Sequence, residues 1–189
     1  VVLLLGPGLV VLSRELATAI YVVTLAGMFG VSASLHRRDW GPRAYNWLRR
    51  ADHAMIFIFI AGSYTPFSLL GLTPETGRFV LLTMWATALI MATIRILGLK
   101  MPRFFMSASY VAMGWFAAWS MPEAIPIVGP IGIALLVVGG VLYTIGAGIF
   151  WKKAPNPVPG WFGYHEIFHL LTIAAGIVHF VAVGRLVFA

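Results

Sequence analysis

Six stretches of this 189-residue chain are apolar enough and long enough to cross a bilayer: Leu16–Leu35, His53–Leu72, Phe79–Leu99, Phe104–Met121, Ile125–Trp151 and Trp161–Phe188. A helix needs about 17 to 25 such residues to span the hydrocarbon core. The runs are continuously apolar and do not alternate with period two, so they predict helices rather than a β-barrel. Composition agrees: 60% of residues are apolar, 10% are charged, and the mean hydropathy is +0.92. Soluble domains sit near half apolar and a quarter charged, and a chain of this size cannot hide so much apolar surface in one core. A soluble fold and a disordered chain are therefore both excluded. The absence of cysteine also excludes disulfides and thiolate metal sites.

Val1–Leu12 is apolar but too short for a full crossing. Since the chain opens on Val1 inside an apolar run, this segment reads as the second half of a helix whose start is missing. The expected fold is an all-α integral membrane protein, a seven-helix bundle with a truncated first helix, forming one domain over 1–189. Breakers mark the connectors: Gly41-Pro42, Thr73-Pro74, Pro102, Pro122, Pro126 and the run from Pro155 to Gly160. Pro66 and Pro130 fall inside expected helices, where a kink or helix end is tolerated.

The net charge of +7 reports topology. Arg37, Arg38, Arg43, Arg49, Arg50, Arg95, Lys100, Arg103, Lys152 and Lys153 fall on one side of the expected bundle, and Arg14, Arg78 and Arg185 on the other. The positive-inside rule then puts the N-terminus in the cytoplasm and the C-terminus outside. No basic domain exists to carry a nucleic-acid role. Trp40, Trp47, Trp151 and Trp161 lie near span ends, as an interfacial aromatic belt would.

Ionisable residues within spans are costly and mark functional sites. His36 ends one expected helix at the cytoplasmic face, Asp52 opens the next, and His165 and His169 occupy the first two turns of the last. His165 and His169 are spaced i, i+4, so their rings lie about 40° apart on one helical face and ~6 Å along it, a spacing suited to one ion. With His36 they make three imidazoles, the ligand count of a catalytic zinc with an open position for water. Asp52 is placed to hydrogen-bond or deprotonate that water. Ser32, one turn before His36, is placed to polarise a carbonyl. His179, ~15 Å beyond His169 along the helix, is too far to join the same ion and is expected to bond between helices. His53 is turned 100° from Asp52 and reads as interfacial; Glu15, Glu75 and Glu123 read as solvated loop charges.

His165-Glu166-Ile167-Phe168-His169 also spells H-E-x-x-H, the zinc-protease signature with Glu as general base. Membrane-embedded proteases of that type take a third ligand from a later aspartate, and no acid follows Glu166. A retinal protein needs a Schiff-base lysine, and the last expected helix contains none.

Three motifs in order carry a family resemblance: Ser32-Ala33-Ser34-Leu35-His36; Arg50-Ala51-Asp52-His53-Ala54-Met55-Ile56, continuing through Ala61-Gly62-Ser63-Tyr64-Thr65-Pro66-Phe67; and Trp161 through His169. Together they resemble the bacterial hemolysin III family, related to the progestin and adipoQ (adiponectin) receptors and the alkaline ceramidases. The resemblance implies a multi-pass protein of the bacterial inner membrane. It also implies zinc on His36, His165 and His169, with Asp52 acting through water and Ser32 beside it. The ceramidase and adiponectin-receptor kinship implies metal-assisted hydrolysis of a lipid amide, with a ceramide-like or fatty acid ligand. The family name implies instead a cytolytic or channel role, and the receptor kinship a structural zinc.

Overall fold

The computed structural model describes residues 7–188. They form six long helices: α1 Pro7–Arg37, α2 Pro42–Pro66, α3 Pro74–Leu97, α4 Arg103–Trp115, α5 Met121–Lys152 and α6 Tyr164–Val187. Among the described residues no extended strand occurs, only an isolated bridge between Val158 and Phe162. Five segments are long and apolar enough to cross a membrane: Ser13–Arg37, Pro42–Gly71, Pro74–Leu97, Phe104–Lys152 and Tyr164–Val187. Their outward side chains include Val23, Leu82, Ile90, Ile131, Ile177 and Phe180, all exposed, as expected where lipid is the solvent.

The expected truncated first helix is corrected in part. Residues 7–12 continue without a break into the helix that holds Leu16–Leu35; residues 1–6 lie outside the described residues. No proline or glycine separates Leu9 from Leu25, so nothing stops the helix there. The expected span Phe104–Met121 also divides: α4 covers Arg103–Trp115, and a 3₁₀ turn, Ala118–Ser120, leads directly into α5.

The chain divides into two compact units between Lys100 and Met101. In the first, α1 packs on α2 and α2 on α3. Tyr21, Phe57, Met84, Val80 and Thr65 are among the largest fully buried side chains, and Tyr21 and Phe59 meet with ring centroids 6.1 Å apart. Gly62 lets α1 approach so closely that an added methyl would collide with Thr24, whose hydroxyl is held by the carbonyls of Ile20 and Tyr21 at 2.8 and 3.1 Å. Gly27 likewise faces Met55. Pro66 removes an amide from α2, and the helix widens at once into a π turn, Phe67–Gly71. Beside that turn Trp85 Nε1 donates to Thr65 Oγ1 at 3.1 Å. α3 ends on Gly98 with φ +73°, a left-handed cap. The Arg50 guanidinium lies against Gly98 and donates to the Ile96 carbonyl at 3.3 Å, placing a cation at a helix C-terminus.

In the second unit α5 and α6 form a hairpin, with α4 against α5. Trp115 Nε1 donates to Thr144 Oγ1 at 2.9 Å. Gly129, with φ +75°, kinks α5 directly before Pro130, which disfavours helical backbone at the residue preceding it. Gly132, Gly139 and Gly146 are buried at seven-residue spacing; methyls on the last two would meet His179, and Phe168 and Leu171, of α6. Small residues at such a seam let membrane helices pack backbone to backbone.

Candidate metal centre

His165 and His169 share the first two turns of α6, and both are half-buried. Their Nε2 atoms are 3.1 Å apart, and the rings stand at 80° with centroids 4.6 Å apart. Two imidazole nitrogens on one tetrahedral zinc, each about 2.0–2.1 Å from it, lie about 3.3 Å apart, so this pair is already at ligand spacing. Phe150 of α5 packs on His165 and on Phe168, and Phe168 on His169, fixing the rings from the apolar side. Within the second unit, His165 and His169 are two ring-nitrogen donors placed to share one metal ion. Neutral imidazoles are borderline donors that suit zinc, copper, nickel or iron and discriminate against magnesium or calcium.

In the first unit His36 is exposed at the last turn of α1, and Ser32 is half-buried one turn earlier. Asp52 is half-buried on α2. The contacts of Gly62 with Thr24 and Gly27 with Met55 define an antiparallel register that brings Ser32 to the level of Asp52. His53 is half-buried beside Asp52, its Nδ1 2.6 Å from the Arg49 carbonyl.

Two residues position the site: Asn156, which the sequence expectation gave no role, and Glu166, which entered it only as the acid of H-E-x-x-H. Asn156 accepts the Tyr164 amide on Oδ1 at 3.2 Å and donates through Nδ2 to the Lys153 carbonyl at 3.1 Å, tying the end of α5 to the head of α6. A lone Asn between two prolines was its only signal. Glu166 accepts the Gly163 amide at 2.8 Å and so caps α6. That hydrogen bond gives the acid of H-E-x-x-H a structural task at the helix start in place of a protease base.

His179 makes the expected interhelical bond. Its Nε2 is 3.1 Å from the Leu136 carbonyl of α5, it stands edge-on to Tyr143, and it fills the space left by Gly139. His179→Ala is therefore expected to leave metal content unchanged while lowering stability by about 2–4 kcal/mol, since it empties a packed site and removes a polar contact. Elemental analysis beside a thermal melt checks both halves; loss of metal would relocate the centre.

Long apolar helices, with no extended strand among the described residues, define a multi-pass, all-helical membrane protein. Comparison with known families narrows this: the haemolysin-III related family matches residues 3–180, and the chain belongs to that family. It is 29% identical over 174 residues to Hemolysin-3 of Bacillus cereus, an alignment covering 90% of this chain and 75% of that one. It is 31% identical over 135 residues to a Hemolysin-3 homolog of Bacillus subtilis, covering 70% of this chain and 59% of that one.

Proposed function

We propose that this chain is a zinc-dependent hydrolase of lipid amides, with His36, His165 and His169 as metal ligands, Asp52 as the base and Ser32 as a hydrogen-bond donor to the substrate carbonyl. The observation that carries this reading is the α6 histidine pair, whose Nε2 atoms stand at ligand spacing. It is a multi-pass helical domain of the bacterial inner membrane, with the His36 end of α1 and the His165 end of α6 cytoplasmic and the C-terminus outside. The lipid amide then meets the site at the cytoplasmic boundary.

A bound zinc supplies Lewis acidity, polarising a carbonyl and bringing a water to a pKa near ~7. The Asp52 carboxylate accepts a proton from the attacking water and returns it to the departing amine. The Ser32 hydroxyl, at the level of Asp52, donates to the carbonyl oxygen as its charge grows. Phe150 and Phe168 keep water from the inner side of the histidines.

The test is fatty acid release from a panel of ceramides by wild type and Asp52→Asn. The variant is expected to lose activity by about 10²–10⁴-fold, the contribution of a positioned base, while keeping its metal. A metal-loaded, folded wild type that releases fatty acid no faster than Asp52→Asn would overturn the hydrolase reading. The relatives' printed name favours a second reading, membrane lysis with a structural metal. Equal release of haemoglobin from red cells by wild type and Asp52→Asn would favour it.

A further inference from the structure

Between His36 and Ala51 the chain carries five arginines and one carboxylate, Asp39. This stretch joins α1 to α2 and includes the first two turns of α2, directly before the apolar run that begins at Ala54. Three of its guanidinium groups lie over aromatic rings: Arg38 over Trp40 at 5.6 Å, Arg49 over Tyr45 at 5.8 Å and Arg50 over Trp47 at 5.6 Å. The rim is built rather than loose. Trp40 Nε1 donates to the Ser34 carbonyl at 2.8 Å, which anchors the ring beneath Arg38 to the end of α1. Tyr45 and Arg49 stand four residues apart on a continuous helix, so their stacking follows from helical geometry. Arg50 is committed to the end of α3 through the Ile96 carbonyl. Arg37, Arg38, Arg43 and Arg49 are exposed, as are Tyr45 and Trp47.

A guanidinium held over a ring can still offer N–H donors at its edge, and their planar fork matches two oxygens of a phosphate. Tyr and Trp meanwhile favour the headgroup level of a bilayer. Four exposed cations facing one acid, at the mouth of a membrane-spanning helix, are complementary to anionic headgroups. We propose that the Arg37–Arg50 rim is a binding surface for the phosphate headgroups of anionic phospholipids. Pinning the arginines on rings lowers the entropy lost when a headgroup docks. This surface is separate from the metal reading and stands whether or not the chain hydrolyses anything.

The experiment titrates the purified full chain in neutral detergent with short-chain phosphatidylglycerol, short-chain phosphatidylcholine and inorganic phosphate. Phosphatidylglycerol is expected to bind at least about tenfold tighter than phosphatidylcholine, with inorganic phosphate weaker than both. Arg38→Gln/Arg43→Gln/Arg49→Gln should weaken phosphatidylglycerol binding by about 10- to 100-fold, while Arg14→Gln/Arg78→Gln should not change it. Tyr45→Ala, which keeps every charge, should weaken binding several-fold because it unpins Arg49. Equal binding of the two lipids by wild type would overturn the proposal, and that comparison needs no variant to fold. So would phosphate binding as tightly as phosphatidylglycerol, or unchanged affinity in the triple variant.

Discussion

Wild-type protein is expected to purify with a first-row transition metal, and His165→Ala/His169→Ala to purify without it and to melt at a lower temperature. The two Nε2 atoms stand 3.1 Å apart on adjacent turns of one helix. If that contact were only a hydrogen bond between neutral rings, one ring would donate and the other accept, and no metal would accompany the protein. Two lone pairs aimed at one ion give the same spacing and a different elemental analysis. Outer partners of a ligand typically cost 10–100-fold in metal affinity when removed, so deleting two ligands should cost more than about 100-fold. The stability lost is the binding free energy that metal contributes to the folded state. Metal-free wild type, or metal retained in the double variant, would sink the assignment. Single His36→Ala should lower occupancy less than the double change, because the α6 pair remains.

The second large effect is expected at Gly62, where alanine should destabilise the protein by about 3 kcal/mol, the upper end for overpacking. The added methyl would fall on the Thr24 hydroxyl and crowd both other heavy atoms of that side chain. Thr24 cannot swing aside cheaply: it is β-branched, and its hydroxyl is held by two carbonyls of its own helix. The helices must separate instead, giving up contacts along the α1–α2 seam. Thr24→Ala on top of Gly62→Ala should restore part of the loss. Thermal or denaturant unfolding in detergent reads both variants, and a Gly62→Ala protein as stable as wild type would show that the seam is not close-packed there.

Much of this was legible in the residues. Long apolar runs placed α3 and α6 nearly where they lie, but α2 begins at Pro42, ahead of the expected start at His53, because its polar first turns carry no apolar signal and only Gly41-Pro42 marks them. The i, i+4 spacing of His165 and His169 needed only helical geometry to become a convergent pair. The start of α1 was less legible: an apolar run with one Arg-Glu pair reads as two pieces, yet a helix passes through two charges that its own backbone bonds do not involve. The break between α4 and α5 depends on turns closed by the Phe116 amide on the Met113 carbonyl and the Ser120 amide on the Ala117 carbonyl, and no strong breaker before Pro122 announces it. Asn156 was invisible for a related reason. Its two hydrogen bonds join backbone groups on either side of the Pro-rich loop, and a composition of prolines specifies neither. Glu166 suggested catalysis by its motif, whereas its position three residues after Gly163 equally spelled a helix cap.

The notch at Gly139 has a mechanical consequence. His179 sits in it as a peg, with its ring between Tyr143 and the α5 backbone. Ten residues, or ~15 Å, separate that peg from His169 on an unbroken helix. For α6 to slide by one residue, ~1.5 Å, the peg would have to climb out of its notch. The depth at which the histidine pair meets the membrane is thus set by a lock in the opposite half of the helix, and trimming the peg should free α6 to shift as a piston.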